Sequence, residues 1–265
     1  MSDTDFAMTP VLAFDIETIP DCAGIRKLYD LPADLPDHDV AEIAFQKRRA
    51  KAGNDFLPTH LQRVAVISCL LRSDEGVRVF SIGEPDTDER ATIQRFFEGI
   101  DKYVPQLVSW NGRGFDLPVL AARGLVKGVT AGCFWDQGAD NKDFKWSNYI
   151  NRFHDRHLDL MDALSMYGGG RGSPLDELAR LAGFPGKLGM DGSEVWESYR
   201  NGAVAAIRDY CETDVVNTYL LFLRFQLMRC AHTSERHASE LALLRGALEK
   251  RPEPHWREFL SLWKT

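Results

Sequence analysis

Residues 11–18 read VLAFDIET, and this run limits the possible folds more than any other stretch. Its apolar residues suit a buried strand, yet it carries two acids. Side chains alternate across a strand, so Leu12, Phe14 and Ile16 share one face while Ala13, Asp15 and Glu17 share the other. Ala13 leaves room beside the acids. Two carboxylates side by side on a sheet face repel unless a cation or a proton intervenes. An exposed face on an antiparallel strand accounts for the pair taken alone, so the decision passes to acids elsewhere in the chain.

The remaining pattern points to an α/β protein with a mixed sheet. RVAVISCLLR (63–72) and GVRVFSIG (76–83), joined by the turn SDEG, predict a β-hairpin. DTDERATIQRFFEGIDKY (86–103) predicts a helix with Asp86 or Thr87 as its N-cap. QLVSWNG (106–112) reads as a short strand, and FDLPVLAARG opens another helix. A meander followed by alternating strands and helices fits a mixed sheet. A long insertion, 20–62, separates the first two strands and holds a helical pattern, VAEIAFQKRRAKAG. Its Lys47, Arg48, Arg49 and Lys51 form the densest basic stretch, read first as a solvated helix face. A phosphate-contacting flap is the functional alternative.

GGGRGSP (168–174) lacks the Lys-Ser/Thr ending of a phosphate loop. It reads as a turn before a helix, with Ser173 as N-cap, Pro174 in the first position, and Asp176 and Glu177 following. GSEVWESYRNG predicts a short helix, and residues 203 to about 228 a long one. Two amphipathic helices close the chain, with core stripes Leu241, Leu244, Leu248 and Trp256, Phe259, Leu260, Trp263.

With 265 residues, 44% of them hydrophobic, the chain can bury a sizeable core. The formal net charge of −7 does not exclude nucleic acid, because local patches count for more than the total. Five dispersed cysteines without CxxC spacing read as reduced packing thiols. The N-terminus, MSDTDFAMTP, has no basic segment of a secretory signal, and no run of 18 apolar residues predicts a membrane span. A cytoplasmic location is the resulting expectation. His154 and His157 have no further ligands of fitting type nearby and are excluded as a zinc pair. Asp159 and Asp162 are additional acids, one of which caps a helix or faces solvent.

Two more stretches answer the opening acids. WNGRGFD (110–116) places Asp116 at a helix N-cap position, a role that would by itself explain an aspartate there. In YCETD (210–214), Tyr210 and Asp214 are four apart and share a helix face with Ile207 and Leu221, which turns it inward. A site for hard cations satisfies all these acids at once. Magnesium takes oxygen ligands and keeps several waters, so a few carboxylates from separate elements suffice. Four of them can hold two ions about 3.5–4 Å apart, the spacing used for in-line phosphoryl displacement.

FDIET, NGRGFD and YCETD resemble the three exonuclease motifs of the DEDD superfamily, which share an RNase H-like fold. The tyrosine four residues before the last aspartate resembles the tyrosine subclass; the position five before, where the other subclass has histidine, is Asp209. FLPTHLQRVAVIS, DGSEVWE and YCETDVVNTYLL extend the resemblance to the stand-alone predicted 3′–5′ exonucleases related to the proofreading domain of family B DNA polymerases, over roughly residues 10–228. The resemblance implies a mixed five-stranded sheet flanked by helices in an exonuclease domain of residues 1–230, and a helical extension, 231–265, packed on it. It implies Asp15, Glu17, Asp116 and Asp214 as ligands of two divalent cations, Mg²⁺ or Mn²⁺. Tyr210 orients or helps deprotonate the attacking water, and Thr18, Asn111 and Phe115 contact substrate. Phe115 is equally accounted for by core packing. The implied reaction removes nucleotides from single-stranded DNA 3′ ends, as in DNA repair. An exoribonuclease of the same chemistry, resembling RNase D, is the alternative, and a silent nucleic-acid-binding module is another. The sequence names no protein partner.

Overall fold

A computed structural model describes residues 8–83, 87–168 and 172–264. Among them, five strands form one sheet: β1 (Val11–Pro20), β2 (Gln62–Ser73), β3 (Gly76–Ile82), β4 (Gln106–Ser109) and β5 (His157–Asp159). Their order is β3-β2-β1-β4-β5. β1 and β3 run antiparallel to β2, while β1, β4 and β5 are parallel. This is the mixed five-stranded sheet that the resemblance implies, and the hairpin at 63–83 forms as its alternation demands.

Eleven α-helices surround the sheet: α1 (Cys22–Tyr29), α2 (Asp37–Ala52), α3 (Glu89–Tyr103), α4 (Asp116–Lys127), α5 (Gly132–Trp135), α6 (Leu160–Leu164), α7 (Leu175–Leu181), α8 (Val195–Arg200), α9 (Val204–Met228), α10 (Ser234–Glu249) and α11 (Pro254–Leu262), counted among the described residues. Leu12, Phe14 and Ile16 pack with Phe96, Phe97 and Ile100 of α3 and Leu120 of α4. The opposite face of the sheet, with Ala13, Leu70 and Val108, packs against Val215, Val216, Tyr219 and Leu220 of α9. α10 and α11 close over the same layer through Leu244, Leu248, Trp256 and Phe259, the residues of the two predicted stripes. Asp15 and Glu17 therefore point into the layer under α9, and their burial is a tertiary consequence of that helix.

The insertion builds a small core of its own from Ile25, Val40, Ala41, Ala44, Leu57 and Leu61. It contains α1, which the periodicity did not predict, because Gly24 sits inside this short helix and weakens its propensity. Asp21 compensates by capping it, accepting from the Gly24 N–H at 3.2 Å. Two other helix starts differ from expectation. α3 begins after Asp88 rather than after Thr87, and Asp86 lies outside the described residues. α7 begins at Leu175, so Pro174 occupies the N-cap position without a side-chain hydrogen bond, and Ser173 does not cap it. Gly169, Gly170 and Arg171 lie outside the described residues. No described helix is long and apolar enough to cross a membrane.

Candidate active site

β1 carries Asp15 and Glu17 toward the end of its pairing with β2, where the register shifts between Glu17 and Thr18. β4 pairs with β1 only as far as Ala13, leaving the following N–H groups of β1 open on that side. Asp116 fills that gap: its Oδ1 accepts from the Ile16 N–H at 3.2 Å. This corrects the N-cap expectation. Phe115 occupies the cap position, Asp116 is the first residue of α4, and its carboxylate turns to β1 rather than to its own helix end. The open strand edge is the stronger demand, because an orphaned buried N–H is costly.

α9 crosses above and supplies Tyr210, Cys211 and Asp214 from one inward face, all buried, as are Ile207 and Leu221. The Cys211 thiol donates to Asp15, with Sγ 3.5 Å from both the main-chain oxygen and Oδ2. Ligand atoms of Asp15, Glu17 and Cys211 lie within 4.8 Å of one another. Lys187, which the sequence did not single out, enters from the loop after α7. Its ammonium donates to the Tyr210 hydroxyl at 2.5 Å and sits 3.6 Å from Asp214 Oδ2. The other Asp214 oxygen, Oδ1, is buried without a hydrogen-bond partner.

The electrostatics follow from that arrangement. Burial, then Asp116, Glu17 and Asp214, push the Asp15 carboxyl well above the usual range. Burial and Asp214 push Glu17 well up, against the pull of Lys187. Burial lifts Asp116 to about 7 despite the N–H groups it accepts from, and lifts Asp214 to about 6 despite Lys187 and Tyr210. The Cys211 thiol is pushed up by burial and by Asp15 and Glu17, so it stays protonated and is no thiolate ligand. Oxygen donors in excess of positive charge, one of them orphaned, fit hard divalent cations.

Glu17, Thr18 and Lys187 open into a cleft of about 620 Å³. Its walls include Phe115 and three further aromatic residues, Phe45, Phe56 and Trp196. Phe56 and Phe115 pack with ring centroids 5.2 Å apart. Phe45 and Phe56 belong to the insertion, which thereby becomes one wall of the cleft. Arg48 steadies that wall by donating to the Phe56 carbonyl at 2.7 Å. Arg49 pairs with Glu42 and Asp55, and Lys47 lies over the Tyr29 ring, so much of the basic stretch is used locally. Thr18 donates to Gln62 Oε1 at 2.9 Å on the cleft wall.

Asn111 is not among the residues lining that cleft. It sits in the left-handed region (φ 63°) within the loop before α4. Asp159 braces that loop, accepting from the Asn111 and Arg113 N–H groups at 3.0 and 2.9 Å while also capping α6. Asp162 pairs with Arg152. The two histidines go separate ways: His154 Nδ1 accepts from the Asn148 N–H, and His157 is buried beside Ser109 and Arg113. Burial and the Arg113 charge lower His157 to about 3, so it is neutral.

A family described as "Predicted 3′-5′ exonuclease related to the exonuclease domain of PolB" matches residues 54–263. Asp116, Lys187, Tyr210 and Asp214 fall inside that span, and Asp15 and Glu17 precede it. The chain is 26% identical over 224 residues to the DNA polymerase epsilon catalytic polypeptide of Emericella nidulans, and 26% identical over 225 residues to that of Aspergillus fumigatus. Each alignment covers 81% of this chain and 9% of the relative, so the chain spans about a tenth of those proteins' length.

Proposed function

The chain belongs to the predicted 3′–5′ exonucleases related to the exonuclease domain of PolB, and on that premise we propose that it hydrolyses DNA from the 3′ end with two divalent cations. The observation that carries this reading is the convergence of Asp15, Glu17, Asp116 and Asp214 from three elements on one lysine, with Asp214 Oδ1 left without a partner. These four carboxylates would hold Mg²⁺ or Mn²⁺, which when bound supplies an activated water and stabilises charge on the phosphate.

The protein's own groups arrange the rest. Lys187 donates to the Tyr210 oxygen, which leaves the Tyr210 hydrogen free to point at an acceptor. Burial and then Asp214, Glu17 and Asp15 push the phenol up, so Tyr210 holds the water and does not take its proton. The aromatic cleft offers ring faces to the terminal bases, a mode that suits unpaired strands of any sequence. Thr18 and Phe115 would touch the terminal nucleotide there, and Asn111 would shape the loop that presents Phe115.

The test is hydrolysis of 5′-labelled single-stranded DNA, duplex DNA and RNA, each with Mg²⁺, Mn²⁺ or EDTA. The proposal expects a ladder shortened from the 3′ end, fastest on single-stranded DNA and absent in EDTA. Full activity in excess EDTA would overturn the cation reading, and a preference for RNA would move the enzyme to the exoribonucleases.

A further inference from the structure

Asp15 heads a polar row that crosses the sheet. Ser68 lies opposite Asp15 on β2, and Ser81 lies opposite Ser68 on β3, so the three side chains stand in line under α9. Neighbouring positions on the same face, Ala13, Leu70 and Val79, belong to the apolar core. The row is continuous. Ser68 Oγ and Ser81 Oγ are 2.8 Å apart, and Ser81 donates to Glu212 Oε1 of α9 at 2.8 Å. Glu212 Oε2 faces His255 Nε2 at 3.5 Å and Arg251 Nη2 at 3.8 Å. At the other end, the Cys211 thiol reaches both Asp15 Oδ2 and Ser68. Ser68 is fully buried, and hydroxyls inside an apolar layer are costly unless satisfied.

Counting donors fixes the direction of the row. A carboxylate only accepts, so Ser81 gives its hydrogen to Glu212 and its oxygen accepts from Ser68. The single Ser68 hydrogen is thereby committed away from Asp15, and a lone pair of Ser68 stays open beside Cys211. The thiol has one hydrogen and two acceptors within reach. We infer that Glu212, Ser81 and Ser68 are positioning residues that keep this acceptor open, so that the Cys211 S–H can turn from Asp15 to Ser68 when a cation takes that carboxylate. No covalent bond breaks; one hydrogen bond changes partner. The inference rests on the proposed cation site at Asp15.

The experiment is Mn²⁺ binding to the full chain without substrate, read from the EPR signal of free Mn²⁺. In Glu212→Gln the amide oxygen keeps facing Arg251, so its NH₂ donates to Ser81 and reverses both hydroxyls. The thiol is then left with Asp15 alone, and Mn²⁺ should bind roughly tenfold more weakly, the scale of one hydrogen bond to a charged group. Adding Cys211→Ala should restore the affinity, because no thiol remains to compete, and Cys211→Ala alone should bind no worse than wild type. Ser81→Ala, which leaves Ser68 free to point either way, should weaken binding by less and serves if Glu212→Gln does not fold. Wild-type protein that binds no Mn²⁺ would remove the cation site itself. Wild-type binding with unchanged affinity in both variants, or a loss that Cys211→Ala does not rescue, would overturn the row and leave the site standing.

Discussion

Arg123 on α4 and Asp214 on α9 each belong to a buried cluster of acids, and the two clusters are neutralised in opposite ways. Arg123, only 1% exposed, donates Nε and Nη2 to the two oxygens of Glu89 at 2.7 and 2.6 Å and Nη1 to Asp21 at 2.5 Å. Lys127 adds a second cation 3.3 Å from Glu89, which also accepts from the Val64 N–H. That cluster is closed: each acid meets a fixed donor, and it ties the insertion to the sheet and to α3 and α4. In the second cluster, four carboxylates meet the single charge of Lys187, and one oxygen meets nothing. Both clusters have the chemistry of a buried ion network, but only the closed one is arranged for stability. The open one is strained electrostatically without an added cation.

The sharpest way to break this comparison is to remove an acid from each side. Asp15→Ala or Asp214→Ala should abolish hydrolysis while leaving the metal-free melting temperature level or higher, because repulsion is relieved. A large loss of metal-free stability in either variant would make the second cluster structural as well. In the closed cluster the direction reverses. Arg123→Met leaves Glu89 and Asp21 buried without their cation, and denaturant unfolding should show a loss of about 3–5 kcal/mol that Mg²⁺ does not recover.

Tyr210→Phe tests the open cluster more finely, since it deletes one hydroxyl and keeps the ring. The single-turnover rate should fall by ~10²–10⁴-fold with substrate binding little changed. A wild-type rate would reduce Tyr210 to a packing residue of α9.

The smallest effect is a pH dependence of metal-free stability. Asp116 sits at about 7 when folded, above the ordinary carboxylate value near 4, so the folded state holds more protons across that interval. Stability therefore falls as pH rises from about 4 to about 7. Compared with Asp116→Asn, which cannot titrate there, wild type should lose melting temperature over that window in EDTA. Mg²⁺ should recover the loss near pH 7.5 and do little at pH 5. Parallel curves for the two proteins would mean that Asp116 ionises freely in the fold.

Local pattern carried the first-order reading of the site. The alternation in VLAFDIET aimed Asp15 and Glu17 away from Leu12, Phe14 and Ile16, and the four-residue spacing put Tyr210 and Asp214 on one face of α9. Both are periodicities of a single element, and they survive into the fold because the element alone sets them. The same holds for the hairpin and for the core stripes of α10 and α11. Where the reading erred, two local options competed: Asp116 could cap its helix or serve a strand edge, and Ser173 or Pro174 could begin α7.

What tertiary structure alone decided has no period to reveal it. Lys187 stands between glycines in an irregular loop, and only the packing of that loop against α9 delivers its ammonium to Tyr210. Ser68, Ser81 and Glu212 are ordinary polar residues in three separate segments until strand register aligns them behind Asp15. Phe56 reads as one more apolar residue of an insertion, yet the fold sets it against Phe115 at the mouth of the cleft. A sequence determines which side of its own element a residue faces, because backbone geometry is local. Which charges meet across elements, and which acid is left without a partner, depends on distances that exist only once the layers have closed.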